Sequence, residues 1–445
     1  MEARGTIIKL TRTTIAFEVY NPNSIIQLSE VLQDFTIYHR DQPVYQGRAV
    51  VSTLVNTGLM LIVSATLVDR WLDTFDTISK PEALRESAEN FIHDWDETHK
   101  LVPSFQLVVS EMRSFFSEMN RWLSQVTISE QDEEKRNPDI QQDFINTIEP
   151  PLLEKTFQYW ERFETEAKKI PSEHSVSHKR YVQTDLHPMI MTAPFVHRTY
   201  HKPLGYAGDY EMVNMLLRTP YEGPSIYAKL INKAFILEGM GRAHRNRIDI
   251  LEQTLFEVAK TNICQNRKKR ILNIGCGPAV EVQRLIEDDV SEHLEFKLLD
   301  FNHETLAYTE KKLSQILRNN QRNVEIEYIQ QSVYSLLKQP KSGGQLFPNN
   351  HFDMVYCAGL FDYLSDKICS RLIELFYQWA KHDGIVLLTN VHPLNPGINV
   401  MEYILEWHLV YRDEKQMSNL YNKTNNKRVF TDETGFNVFL EINKT

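Results

Sequence analysis

Residues 271–302 constrain the fold of this 445-residue chain more than any other stretch. The apolar run 271–274 is typical of a buried parallel strand. Gly275 and Gly277 follow it in a G-x-G turn, where the missing side chains let the main chain approach a ligand closely. After a predicted helix and a second strand, Asp300 stands about 25 residues beyond the glycines, where a doubly wound sheet places a carboxylate that binds ribose hydroxyls. The pattern predicts an α/β chain with a ligand over the turn.

The third glycine of a dinucleotide-binding motif is missing, because Val280 occupies the last position of G-x-G-x-x-G. Binding of a pyrophosphate is therefore disfavoured. The G-x-G turn with an acid closing the next strand resembles motifs I and II of class I S-adenosylmethionine-dependent methyltransferases. The resemblance implies a Rossmann-like, mostly parallel sheet and S-adenosyl-L-methionine as the cofactor. An ordinary strand, turn and helix without a ligand is the alternative.

The same resemblance implies cofactor contacts in the turn, after the second and third strands, and at the end of the fourth. Phe301 or Asn302 would lie beside the adenine, and Ser332 with Val333 would meet its edge. The predicted cofactor-binding residues are Gly275, Cys276, Gly277, Asp300, Phe301, Asn302, Ser332, Val333, Cys357, Ala358 and Gly359.

Composition narrows the classes of function. A net charge of −10 argues against nucleic acid as the main partner, because phosphate binding needs a basic face. No apolar run approaches the ~20 residues of a membrane span, and the first residues lack a signal-peptide hydrophobic region, so a cytoplasmic protein is expected. The four cysteines show no C-x-x-C spacing, which favours reduced thiols over a disulfide framework or a zinc site.

The first 72 residues contain short β-branched and aromatic runs separated by turn signals, which predicts a small antiparallel β-barrel. This segment resembles a PilZ-like domain, a family that binds a cyclic dinucleotide through an R-x-x-x-R arm. Arg4 and Arg12 are too far apart to form that arm. We expect a degenerate barrel that serves packing, a protein partner or homo-oligomerisation.

Residues 73–200 change to the helical period and are predicted to be a helical region. Two histidine pairs, His174 with His178 and His197 with His201, have the i, i+4 spacing of a helical metal site. Neither lies in an H-E-x-x-H string, and prolines are expected to break this segment into short pieces. No metal is predicted.

Residues 201–445 form the predicted methyltransferase domain. Its loop 205–210 displays Tyr206, Asp209 and Tyr210 on a glycine-rich turn before a helix, as functional loops do. The strings 205–212, 357–364 and 401–412, together with the G-x-G turn, resemble bacterial proteins named for biosynthesis of the extracellular factor 3-hydroxypalmitic acid methyl ester. One departure is that residues 397–400 carry no arginine before the Met-Glu-Tyr string.

The resemblance implies methylation of a carboxylate oxygen on a small or fatty acid-like molecule, giving a methyl ester. N-methylation of a small molecule or peptide natural product is one alternative, and a non-catalytic binding module is another. Tyr403, Trp407 and Tyr411 fall at i, i+4 and i+8, which predicts one face of a helix. The predicted catalytic residues are His392, Tyr206, Tyr210 and Tyr411. The predicted substrate-binding residues are Tyr363, Tyr403, Trp407, His408 and Arg412.

Overall fold

The computed structural model describes most of the chain, namely residues 5–19, 26–39, 42–56, 61–72, 85, 88–89, 92, 100–128, 138–171, 174–237, 239–261, 267–337 and 346–445. Most of residues 73–99 of the predicted helical region, residues 129–137 and Cys264 lie outside these residues.

The N-terminal residues form an antiparallel sheet with the strand order β1-β2-β5-β4-β3. Alternate side chains of β2 and β5 are buried, as expected for strands with one face on a core. The predicted antiparallel unit is therefore present, with β1 and β3 as the edges of the described sheet. Its strands are β1 (Gly5–Leu10), β2 (Thr14–Val19), β3 (Val31–His39), β4 (Gln42–Asn56) and β5 (Leu61–Leu67).

Helices occupy the middle of the chain and pack with one another around a large aromatic core. One helix continues through Pro188, which lies in its last turn, so the predicted break into short pieces is wrong there. Pro188 removes one main-chain donor, and the helix ends two residues later at Ile190. These helices are α1 (Pro103–Ile128), α2 (Pro138–Ala167), α3 (Ser175–Ile190), α4 (Pro194–His201), α5 (Tyr210–Leu217), α6 (Ile226–Leu237) and α7 (Gly239–Lys260).

The C-terminal part is built on a seven-stranded sheet with the order β11-β12-β10-β9-β6-β7-β8. Strands β6 to β10 are parallel, and β12 runs antiparallel between β10 and β11. This order confirms the predicted Rossmann-like class I methyltransferase sheet. The strands are β6 (Lys269–Ile274), β7 (Leu294–Asp300), β8 (Glu325–Gln330), β9 (Phe352–Cys357), β10 (Ala380–Val391), β11 (Lys427–Thr431) and β12 (Asn437–Asn443).

Both faces of this sheet are covered, because successive side chains of a strand point to opposite faces. In β6, Ile271 belongs to the core under α7, α8 and α9, whereas Leu272 belongs to the core under α10, α11 and α12. The strand order reverses between β6 and β9, and ligands bind at such switch points beyond the carboxyl ends of the strands. The covering helices are α8 (Val280–Leu285), α9 (His303–Asn320), α10 (Val333–Leu337), α11 (Asp366–Trp379) and α12 (Glu414–Asn419).

The helix predicted for residues 401–412 is wrong beyond its first turn. A π-helical turn spans Val400–Ile404, and Glu406 then adopts a positive φ of 51°, which ends it. The following backbone amides find distant partners: His408 N–H donates to Ser29 Oγ and Val410 N–H to the Asp362 carbonyl. Tertiary hydrogen bonds have thus replaced the helical ones, and Tyr403, Trp407 and Tyr411 do not share a helix face.

None of the described helices combines the length and apolar composition that a bilayer crossing requires. Among the described residues, no group of three histidine, cysteine or carboxylate side chains could hold a metal ion. His178 instead accepts from Val102 N–H through Nε2 and bonds the His174 carbonyl through Nδ1, and the rings of His197 and His201 pack together. Cys276, Cys357 and Cys369 are free and buried.

Candidate functional site

The G-x-G turn leaves the end of β6 with an unusual backbone. Gly275, Gly277 and Ala279 have φ values of 68°, 52° and 48°, which lie in the left-handed region. Glycine adopts this region without strain, which accounts for the first two positions. A Cβ atom at Gly277 would meet nothing within 4 Å, so open space lies over the turn. The turn therefore offers room for a ligand in contact with its main chain.

Asp300 lies beside this turn at the end of β7 and is 5% exposed. Its Oδ2 accepts a hydrogen bond from Gly277 N–H at 3.1 Å, and its Oδ1 accepts from Asn302 N–H at 3.0 Å. Burial raises the pKa of this carboxyl group, while the main-chain amides of Asn302 and Gly277 act in the opposite direction. Each carboxylate oxygen can accept more than one hydrogen bond. The group thus has unused acceptor capacity beside the open turn.

Phe301 and Tyr206 form an aromatic pair next to Asp300. Their ring centroids are 5.2 Å apart, and Phe301 is 45% exposed although Asp300 beside it is buried. Burial and the nearby Asp300 carboxylate raise the pKa of the Tyr206 hydroxyl, so it is protonated at neutral pH. An exposed ring between a turn and a buried acid is suited to contact a flat ligand group.

The other residues predicted to meet the adenine have structural partners. Asn302 caps α9 by accepting from Thr305 N–H at 3.0 Å. Ser332 exchanges hydrogen bonds with Ser335, and Val333 is buried in the core. Cys276 and Cys357 are also buried.

The loop that carries Tyr206 is fixed at both ends. The Gly205 carbonyl accepts from Val31 N–H at 2.8 Å, which ties the loop to the N-terminal sheet. At the other end, Asp209 caps α5 through Met212 N–H and forms a two-pronged ion pair with Arg198. Asp209 is thus the N-cap of α5, and Arg198 is a partner that the sequence did not reveal.

Tyr210 follows the cap and faces α9. Its hydroxyl donates to Glu304 Oε1 at 3.0 Å, and its ring lies 4.6 Å from that of Tyr308. Burial, followed by this hydrogen bond, raises the pKa of Tyr210 to about 12. Neither tyrosine of the loop is therefore ionised at neutral pH, and each can act only as a hydrogen-bond donor or a neutral acceptor.

The residues that follow β9 lie next to the glycine turn. A Cβ atom at Gly275 would lie 3.6 Å from Leu360 Cβ, so residues 359–360 border the glycine turn. Gly359 has a φ of 94°, and its main-chain N–H donates to Thr389 Oγ1. The guanidinium of Arg247, from α7, lies over Gly359 and is buried. The sequence places Arg247 only among the arginines that lead into the sheet.

Tyr363 and Trp407 come together beside the loop. Trp407 Nε1–H donates to Tyr363 Oη at 3.0 Å, and a Cβ atom at Gly208 would clash with that same oxygen. The Tyr411 hydroxyl is buried and has no hydrogen-bond partner among the described residues. Burial raises its pKa, so it remains a donor. The structure therefore brings two of the predicted acceptor residues, Tyr363 and Trp407, to the loop.

The other predicted acceptor residues have different surroundings. His392 bonds Glu414 through Nε2 and accepts from Leu394 N–H through Nδ1, so both ring nitrogens are used. Arg412 is 1% exposed and donates to Asp366, Asn390 and the carbonyls of residues 361 and 364. These two side chains hold loops at the edge of the sheet, and their hydrogen-bonding groups are occupied.

His408 and Tyr403 face the helices rather than the glycine turn. His408 Nε2 lies 3.1 Å from both Lys179 Nζ and Glu406 Oε2. Burial, followed by the charge of Lys179, lowers the pKa of His408 to about 4, so it is neutral at pH 7. Tyr403 packs between Phe105 and Phe163. Both residues belong to the interface of the helices with the 405–412 segment.

Comparison with known proteins gives low similarity. No family model and no curated protein matches the chain. A possible exported protein from Bordetella parapertussis is 17% identical, with a TM-score of 0.44 over 56% of this chain and 86% of that one.

Two solved methyltransferases are also similar in part. Magnesium protoporphyrin IX methyltransferase from Synechocystis PCC 6803, determined with bound S-adenosylhomocysteine, is 13% identical, with a TM-score of 0.35 over 46% of this chain and 87% of that one. A SAM-dependent methyltransferase from Aquifex aeolicus is 16% identical, with a TM-score of 0.29 over 43% and 87%. These TM-scores and identities are too low to support an argument. The fold assignment therefore rests on the strand order of this chain.

Proposed function

We propose that the chain is an S-adenosylmethionine-dependent methyltransferase whose acceptor is a carboxylate oxygen of a small or fatty acid-like molecule. The observation that carries the proposal is Asp300, a buried carboxylate with spare acceptor capacity beside an open glycine turn. A ribose diol would supply the missing donors.

The residues present fit the cofactor in three places. Asp300 would accept from the ribose hydroxyls, Phe301 would pack on the adenine, and the turn at Gly275 and Gly277 would lie against the chain that links ribose to sulfur. S-adenosylmethionine supplies a methyl group on a sulfonium, which an acceptor displaces in line. The protein's contribution to such a reaction is to hold the acceptor at the right distance and to exclude water.

The chemistry of the tyrosines supports an acceptor that is already ionised. Burial raises the pKa values of Tyr206 and Tyr411, so neither can remove a proton at neutral pH. A carboxylate acceptor needs no such base, since its pKa lies near 4. It needs donors that orient it, and the unpartnered Tyr411 hydroxyl can act as one. Tyr363 and Trp407 would form the apolar wall beside it.

The reaction is tested by incubating the protein with methyl-labelled S-adenosylmethionine and a panel of fatty and small carboxylic acids. We expect label in an organic-soluble product and its release as methanol in mild base, as for a methyl ester. A base-stable label would contradict the carboxylate acceptor and favour N-methylation. No transfer to any acid of the panel would contradict the carboxylate acceptor and favour a binding module.

A further inference from the structure

Arg247 is a buried cation beside the proposed cofactor site. It lies in α7 and is 5% exposed. A Cβ atom on Gly359 would lie 3.3 Å from one terminal guanidinium nitrogen and 3.4 Å from the other. The guanidinium therefore lies over the tip of β9, and the glycine there leaves room for it.

The Nε atom of Arg247 is buried and has no hydrogen-bond partner among the described residues. Such orphaned donors are rare in proteins, because burial without a partner is costly. Two buried carboxylates, Asp362 and Glu281, are near enough to influence the charge of Arg247, but neither forms a hydrogen bond or an ion pair with it. Glu281 accepts from Tyr356 Oη and Asn273 Nδ2, and Asp362 accepts from Val391 N–H.

The position of Arg247 relates it to the proposed cofactor site. Strands β6 and β9 are parallel neighbours, with Asn273 paired to Tyr356, so the glycine turn and Gly359 leave the sheet side by side. A ligand that lies across Gly275 and extends past Gly359 would bring its end to the guanidinium. An arginine presents a planar fork of donors that matches a carboxylate.

We propose that Arg247 binds a ligand carboxylate at the end of β9. Its Nε–H and one terminal N–H donate to the two carboxylate oxygens. Two molecules can supply this group, namely the amino-acid end of the cofactor and the acid that is methylated. If the cofactor supplies the carboxylate, the inference rests on the proposed function. If the acid supplies it, the inference requires only that the protein binds an anionic ligand.

Calorimetric titration distinguishes the two possible sources of the carboxylate. The full-length protein is titrated with S-adenosylhomocysteine and with 5′-methylthioadenosine, which lacks the amino-acid end. If the cofactor supplies the carboxylate, Arg247→Gln weakens S-adenosylhomocysteine binding at least tenfold, because charged hydrogen bonds are lost, and leaves methylthioadenosine binding unchanged. Arg242→Gln is the matched control, because Arg242 lies on the same helix with a side chain that is 63% exposed. It changes neither affinity.

If the acceptor supplies the carboxylate, Arg247→Gln leaves both nucleosides unaffected. It then weakens binding of the probe octanoate at least tenfold, measured with and without S-adenosylhomocysteine. The proposal is overturned if the variant changes the affinity for neither S-adenosylhomocysteine nor octanoate, or if it weakens both nucleosides equally.

Failure of the proposed function gives a different result, since the wild type would bind neither nucleoside. Octanoate alone then decides the role of Arg247, and equal octanoate binding by wild type and variant overturns it. Should Arg247→Gln lose its circular dichroism signal, Arg247→Lys replaces it in all titrations. A single ammonium cannot reproduce the two-pronged contact, so the same selective loss is expected.

Discussion

Val31 N–H donates a hydrogen bond to the Gly205 carbonyl at 2.8 Å, which joins the N-terminal sheet to the loop that carries Tyr206. Ser29, two residues earlier in the chain, forms a second junction, here with the 405–412 segment. Its Oγ accepts from His408 N–H, and its hydroxyl donates to the carbonyls of residues 406 and 408. The sheet thus holds both the loop and the 405–412 segment, which together line the proposed acceptor site.

The Ser29 junction can be tested through stability. Ser29 is fully buried, so Ser29→Ala leaves the His408 amide without its partner and should lower the free energy of unfolding by about 1–3 kcal/mol. Denaturant unfolding measures this loss. Ser114→Ala is the control, since Ser114 is exposed on α1, and a change within about 0.5 kcal/mol is expected. Equal stabilities of the two variants would contradict the junction.

The N-terminal sheet should not bind cyclic di-GMP. The paired arginines that would grip its phosphates are missing from the sequence, and Arg12 contributes its main-chain carbonyl to Trp71 Nε1–H. Calorimetric titration with the nucleotide should give no heat of binding. Binding of cyclic di-GMP with micromolar affinity would contradict this prediction and indicate that the sheet is a regulatory domain.

Tyr206 should contribute to cofactor binding through its ring. Tyr206→Ala removes the contact with Phe301 and should weaken S-adenosylhomocysteine binding by about 2-fold to 10-fold, the size expected for an aromatic pair. Tyr206→Phe is the matched control and should bind as the wild type does. Equal losses in the two variants would assign the effect to the hydroxyl instead.

Lys202 gives the stability a specific pH dependence. It is 1% exposed, and burial lowers its pKa to about 8, although the charge of Glu406 opposes the shift and that of Lys179 adds to it. In the unfolded chain the pKa lies near 10.4, so the unfolded state binds more protons between pH 8 and 10. Raising the pH through this window therefore favours the folded state.

The measurement compares the wild type with Lys202→Met by denaturant unfolding from pH 7 to pH 9.5. Relative to the variant, the wild type should gain ~1–3 kcal/mol as the pH rises above 8, since one pKa unit corresponds to about 1.4 kcal/mol. Other groups titrate in both proteins and cancel in the difference. A difference that stays constant over this range would show that Lys202 has an ordinary pKa.

The sequence predicted those features whose determinants are local. The apolar run before Gly275, the turn and Asp300 follow one another within one strand-turn-helix-strand unit, and the structure has them as expected. The 405–412 segment was not predictable, because its amides bond Ser29 and Asp362, which are distant in the chain. Helical spacing of Tyr403, Trp407 and Tyr411 was therefore misleading.

In the candidate site, too, contacts between residues distant in the chain could not be predicted, as Arg247 shows. A helical pattern can place an arginine on a buried face, but it cannot show that the guanidinium lies over Gly359, over 100 residues later in the chain. His392 and Arg412 show this limit as well. Both residue types suit an acid-binding site, and the sequence did not reveal that they bond Glu414 and Asp366.

Titration calorimetry with S-adenosylhomocysteine on the wild type and Asp300→Asn tests the central claim most directly. Asparagine keeps the shape of the side chain, but its amide nitrogen cannot accept from one of the two main-chain amides that Asp300 binds, so the variant loses the charge and one acceptor. A circular dichroism spectrum equal to that of the wild type is therefore required before the affinities are compared. We predict that the wild type binds and that Asp300→Asn binds at least tenfold more weakly, because a charged hydrogen bond contributes about 1.5–3 kcal/mol. Asp383→Asn, at a side chain that is 88% exposed, should bind as the wild type does. Absence of binding by the wild type, or unchanged affinity of Asp300→Asn, would contradict the account.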